Sequence, residues 1–118
     1  MEKKPFIAQD SGERKRQPIT TGVLDYFPAA LAAVAEHSFV GNEKHNPGQE
    51  LHWARGKSMD HADCIARHLI ERGTFEDVEI NGKFYRIRHS AALAWRALAL
   101  LQEEIEAEGK FAPGRAAY

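Results

Sequence analysis

At 118 residues the chain is long enough for one domain with a modest core and too short for two. Hydrophobic content of 43% and a formal net charge of −1 are those of an ordinary water-soluble protein, and they lack the basic excess expected of a nucleic-acid binder. No apolar run approaches the roughly 18 residues needed to span a bilayer, and the opening Met-Glu-Lys-Lys-Pro has no apolar signal core. The single cysteine, Cys64, cannot form an internal disulfide, so a reducing cytoplasm is the expected compartment.

Residues 1–21 are polar, charged and aperiodic, and are expected to form an arm; the run Glu13-Arg14-Lys15-Arg16 is read as a solvated charge cluster. The folded domain is expected over 22–108 and a flexible tail over 109–118. Pro28, a favoured first-turn residue, opens a helix expected to reach about Val40. Leu31, Val34, Ala35 and Phe39 form its apolar stripe, and Gly41 and Asn42 are plausible terminators, with continuation to His45 the alternative. Asn46-Pro47-Gly48 then marks a turn into a loop lasting to about Lys57. Ser58 caps a second predicted helix that turns Met59, Ala62, Ile65, Ala66, Leu69 and Ile70 inward and stops at Gly73.

Val78-Glu79-Ile80 and Lys83-Phe84-Tyr85-Arg86-Ile87 flank Asn81-Gly82, the strongest short hairpin signal a sequence offers. An isolated two-stranded ribbon is marginal, so it is expected to lean on a helix or a partner chain. The last helix is predicted over about Ser90–Glu108, with Ala94, Leu98, Leu101 and Ile105 as its seam. A few helices in so short a chain often complete their core with a second copy, so an oligomer, at least a dimer, is expected.

The segment Gly41–Arg67 concentrates acids, bases, imidazoles and amides beyond what folding alone asks for. Asp60 and Asp63 are three residues apart and share a helical face, where two acids repel unless a cation or base neutralises them. Glu36 and Glu43, seven apart, form a second acidic pair if the first helix extends that far. Acids presented from two helices suit Mg²⁺ or Mn²⁺, which favour oxygen ligands. Lys44, Arg55, Lys57 and Arg67 surround them with positive charge for phosphate oxygens. Trp53 can stack on a base or anchor the loop, and Asn46 can read a base edge or fix the turn. Arg86, Arg88 and His89 lead into the last helix and can close such a site from below. The histidines show none of the close-paired zinc spacings, and Asp60-His61 reverses the dipeptide of HD-type phosphohydrolases.

Gly41-Asn42-Glu43-Lys44-His45, then His52-Trp53, Asp60-His61-Ala62-Asp63, Arg67-His68-Leu69 and Arg88-His89-Ser90-Ala91 occur in an order that resembles the phage-associated dATP/dGTP diphosphohydrolase family, small MazG-like nucleotide pyrophosphohydrolases. The resemblance covers roughly residues 22–106. It implies an all-α, MazG-like helical bundle completed by oligomerisation as a homodimer or homotetramer, with the hairpin near 78–87 as a local insertion. It also implies cleavage of a (d)NTP between the α- and β-phosphates to the monophosphate and pyrophosphate. Asp60-x-x-Asp63 is similar to the second acidic pair of such enzymes with one acid shortened, and Glu36 with Glu43 stands in for the first. The expected catalytic and metal-binding residues are therefore Glu36, Glu43, Asp60 and Asp63, and the expected partners are a nucleotide and further copies of the chain. The competing expectation is a non-catalytic helical interaction protein or a nucleotide sensor.

Overall fold

A computed structural model describes residues 4–111. In chain order these form β1 (Lys4–Pro5), α1 (Ser11–Arg14), a π-helical turn (Thr20–Leu24), α2 (Pro28–His45), α3 (His61–Ile70), β2 (Phe75–Ile80), β3 (Lys83–Arg88), α4 (His89–Ala107) and β4 (Lys110–Phe111). The expected all-α bundle is therefore replaced by a mixed architecture, with a six-residue antiparallel hairpin, β2–β3, and a short parallel pairing of β1 with β4. The physical reason lies at Asn81 (φ 51°) and Gly82 (φ 80°), which supply the two consecutive left-handed residues of a type I′ turn. The alternation of Val78, Ile80, Tyr85 and Ile87 then directs one hairpin face onto the helices, where Ile87 is buried and Tyr85 meets Phe39 edge-on. The hairpin is longer at both ends than the residues 78–80 and 83–87 expected for it, and it packs against α2 and α4. Of the expected terminal segments, residues 1–3 of the arm and 112–118 of the tail lie outside the described residues.

The helices begin and end for local reasons. Pro28 occupies the first turn of α2, as its fixed φ and missing N–H allow. The helix runs through Gly41 and Asn42 rather than stopping there, because Asn42 is buried and serves as a hub. Its Nδ2 donates to the Gln49 carbonyl at 3.0 Å and its Oδ1 accepts from the His52 amide at 3.3 Å, tying the following loop back onto α2. Asn46 closes the helix through its backbone N–H to the Asn42 carbonyl.

α4 packs against both α3 and α2, whereas α2 and α3 have little direct contact. Among the described residues the buried apolar ones are Val40, Cys64, Ile87, Ala91, Ala92 and Ala99, three of them alanines on α4. Alanines on α4 let neighbouring backbones come close, and the interior left between the helices is polar. α3 turns His61, Cys64 and His68 inward, positions spaced for one helical face. The apolar face expected to be core points the other way, with Met59 77% and Ile70 79% exposed and Leu69 also exposed. Leu98 and Leu101 of the expected α4 seam are exposed as well, as are Ala35 and Phe39 on α2.

Candidate functional site

The polar interior along α3 and α4 has two ends. At one end Ser58, Asp60 and His61 meet Arg96 and Glu103. His61 Nε2 lies 3.1 Å from Glu103 Oε2 and its Nδ1 lies 3.2 Å from Arg96 Nη1. A neutral imidazole with its proton on Nε2 satisfies both contacts, donating to the carboxylate and accepting from the guanidinium. Arg96 Nη1 also donates to Ser58 Oγ at 3.0 Å, and Ser58 Oγ donates to Asp60 Oδ1. That hydrogen bond, followed by the Asp60 backbone N–H, Cys64 and Arg96, holds the Asp60 carboxyl below its ordinary range. Nearby, Arg55 grips Glu106 through two 2.8 Å hydrogen bonds and lies 3.6 Å over the Trp53 ring, which in turn meets Trp95 edge-on.

At the other end His68 from α3, Glu71 from the turn after it and His89 from the start of α4 converge. The Nδ1 atoms of His68 and His89 are 3.0 Å apart, and Glu71 Oε2 is 3.1 Å from His89 Nδ1. Backbone contacts fix this corner. Thr74 donates its Oγ1 hydroxyl and its amide to the Glu71 carbonyl, and the His89 amide donates to the Thr74 carbonyl at 3.2 Å. Gly73, at φ 83°, provides the reversal the turn needs. Burial, then the Arg67 charge and His89, push His68 below its ordinary histidine value against the opposing pull of Glu76 and Glu71. His37 on α2 is lowered too, first by burial and then by His68 and Arg96, with Glu76 opposing.

Beside this corner a groove of about 340 Å³ runs between α2, the hairpin and α4. Glu36 stands on its α2 wall, while Arg86 and Arg88 stand on its β3 wall with Phe75 between them, the two guanidinium carbons 4.3 and 4.7 Å from the ring centre. A larger hollow, about 640 Å³, lies within the N-terminal segment from Pro5 to Gln17; its charged lining, Asp10, Glu13 and Arg16, is exposed and lies apart from the histidine corner in sequence and element.

A family model described as dATP/dGTP diphosphohydrolase, N-terminal, matches residues 8–112. The chain belongs to that family. No curated protein and no solved structure matches it. Membership in the dATP/dGTP diphosphohydrolase family sets the frame for the residues singled out from sequence. Glu36 and Glu43 sit two turns apart on α2, Glu36 exposed at the groove and Glu43 half-buried. Asp60 precedes the first residue of α3 and Asp63 lies exposed in its first turn, at the opposite end of that helix from His68. Among the described residues only His68, Glu71 and His89 form a group of three or more His, Cys, Asp or Glu side chains with donor atoms all within 4.8 Å of one another.

Lys44, Lys57 and Arg67 are exposed; Arg55 and Trp53 are engaged with Glu106, each other and Trp95; Asn46 turns its side chain towards Asn42. Sequence reasoning passed over Glu71 and treated His68 as unspecific. The available signal was Arg88-His89 directly after a predicted strand, since a hairpin closing from residue 75 to residue 88 returns the chain to the end of α3. No helix among the described residues is long and apolar enough to cross a membrane.

Proposed function

We propose that the chain hydrolyses a purine deoxynucleoside triphosphate, dATP or dGTP, between the α- and β-phosphates, giving the monophosphate and pyrophosphate with Mg²⁺ or Mn²⁺ as cofactor. The observation that carries this reading is membership in a dATP/dGTP diphosphohydrolase family over residues 8–112. The groove supports it, because Arg86, Arg88 and Glu36 all line one space of nucleotide-fragment size. In this reading the two arginines bind phosphate oxygens and offset the charge that develops on the leaving pyrophosphate. Glu36 holds the cation side of the site, and Phe75, already bracketed by arginines, offers a flat apolar wall to the base. When bound, a divalent ion supplies a polarised phosphoryl oxygen and a more acidic attacking water.

Glu43, Asp60 and Asp63 extend the proposed carboxylate set, with Lys44, Lys57 and Arg67 as exposed phosphate contacts. A second protomer is proposed to bring the α2 acids and the α3 acids to one shared site. A homodimer or homotetramer fits the exposed apolar residues Phe39, Leu69, Ile70, Leu98 and Leu101, which the described residues cover only in part. A cytoplasmic setting is part of the same proposal.

The test incubates the full chain with each common dNTP and NTP plus Mg²⁺ or Mn²⁺ and separates products by anion exchange. Monophosphate and pyrophosphate, abolished by EDTA, are expected; diphosphate and phosphate would move the cleavage site, and no product with any nucleotide would leave a sensor or an interaction protein. Asp63→Asn is expected to abolish turnover while leaving helix content and oligomer size unchanged. Full activity in that variant removes Asp63 from the ligand set.

A further inference from the structure

His68, Glu71 and His89 carry a separate inference. Their ligand atoms all lie within 4.8 Å of one another, brought together from α3, its C-terminal turn and the start of α4, and the backbone bonds through Thr74 hold the Glu71 turn against the start of α4. The hydrogen-bond inventory shows why a proton alone serves this corner poorly. Glu71 as a carboxylate only accepts, so His89 Nδ1 must carry a hydrogen to bond it. His68 Nδ1, 3.0 Å away, must then accept the same hydrogen. With the proton instead on His68 Nδ1, the lone pair of His89 faces the carboxylate. Either way His68 Nδ1, His89 Nδ1 and Glu71 Oε2 have a single hydrogen among them, unlike the His61 end, where each contact has its own donor and acceptor.

A cation in place of that hydrogen uses all three lone pairs together. Cis ligands about 2.1 Å from an octahedral ion lie about 3.0 Å apart, and His89 Nδ1 lies 3.0 Å from His68 Nδ1 and 3.1 Å from Glu71 Oε2. The corner is also graded in burial. His68 is 8% exposed, His89 is half-buried, and the Glu71 side chain is 47% exposed. One side is therefore dry and fixed and the other open, leaving coordination positions for water or a phosphate oxygen.

We propose that His68, Glu71 and His89 form a binding site for a first-row transition-metal ion of the Mn²⁺ to Zn²⁺ series, in preference to Mg²⁺. Two imidazole nitrogens and one carboxylate oxygen make a donor set that such ions favour, whereas Mg²⁺ selects oxygen and gives up its water reluctantly. The site goes beyond the proposed hydrolysis, because it is defined and measured without a nucleotide.

The experiment titrates EDTA-treated, dialysed full-length protein with Co²⁺ and reads its visible ligand-field bands. One equivalent is expected to bind, with bands stronger than those of aqueous Co²⁺ and unaffected by excess Mg²⁺; Zn²⁺ is expected to displace it. His89→Ala and Glu71→Gln are each expected to weaken Co²⁺ binding by at least about 10-fold. Both variants are checked by circular dichroism in EDTA, and Glu71→Gln, at an exposed position, keeps the test open if His89→Ala misfolds. Bands no stronger than aqueous Co²⁺, displacement by Mg²⁺, or unchanged binding in folded Glu71→Gln would overturn the site. Loss of the site with hydrolysis intact, or the reverse, separates it from the nucleotide reading.

Discussion

The two ends of the α3–α4 seam are built from the same kinds of side chain and do different things with them. At the Asp60 end an imidazole sits between a guanidinium and a carboxylate, with one donor and one acceptor for each ring nitrogen. At the Glu71 end two imidazoles and a carboxylate point at one another, and the Arg67 guanidinium meets His68 only on its other ring nitrogen, Nε2, at 3.5 Å. Histidine and glutamate alone therefore say little about role. A separate partner for each ring nitrogen marks a structural lock, and convergent acceptors mark a place for a cation.

The largest loss of stability is expected at the locked end. Arg96→Met leaves His61 Nδ1 and Ser58 without their donor inside a largely buried seam, and is expected to cost about 2–3 kcal/mol in urea unfolding. Equal stability in that variant would mean the lock is ornamental. His89→Ala in metal-free protein is expected to cost clearly less, because it removes a crowded acceptor. Arg55→Ala loses the paired bonds to Glu106 and the packing over Trp53, with an expected cost of about 1–2 kcal/mol by the same measurement.

A smaller effect sharpens the contrast from outside the seam. Gly82→Ala places a side chain at φ 80° and is expected to cost about 1 kcal/mol. Because the hairpin positions His89, it should also weaken Co²⁺ binding, while the chemical shifts of His61 stay put. The smallest expected effect is on pH. His37 faces His68 on α3, Arg96 and Trp95 on α4 and Glu76 on β2, and its folded pKa is lowered. The unfolded chain therefore binds more protons, so this contribution is complete above the ordinary histidine value and is lost as pH falls below it. Asp60, also lowered, acts in the same direction at lower pH. Thermal melts in EDTA from pH 8 downward should fall on the acid side and flatten in His37→Gln; a rise would reverse the assignment.

Much of the local structure was legible in the residues. Pro28 announced α2, Asn81-Gly82 announced the hairpin, and the last helix starts within a residue of its expected position. The inward face of α3 was not legible. Periodicity selected Met59, Ile65, Leu69 and Ile70, yet His61, Cys64 and His68 face α4 because Arg96, Glu103 and His89 await them there. Such pairing depends on residues 21 to 42 positions away, which no local pattern reports. The fold class was misread for a related reason, since the hairpin was treated as an addition to a helical bundle when it is the connection that returns α4 to α3.

That connection has a consequence for how the chain can vary. The ladder pairs Phe75 with Arg88 and ends at the turn of Asn81 and Gly82, so its base is pinned while its tip is free. Removing or adding one residue in each strand together changes only the reach of the tip. Adding one residue to a single strand rotates everything beyond it to the opposite face of the ribbon. The ribbon can thus be cut or lengthened in matched pairs, even far enough to touch a neighbouring molecule, without disturbing His89. It is tolerant of length and intolerant of parity.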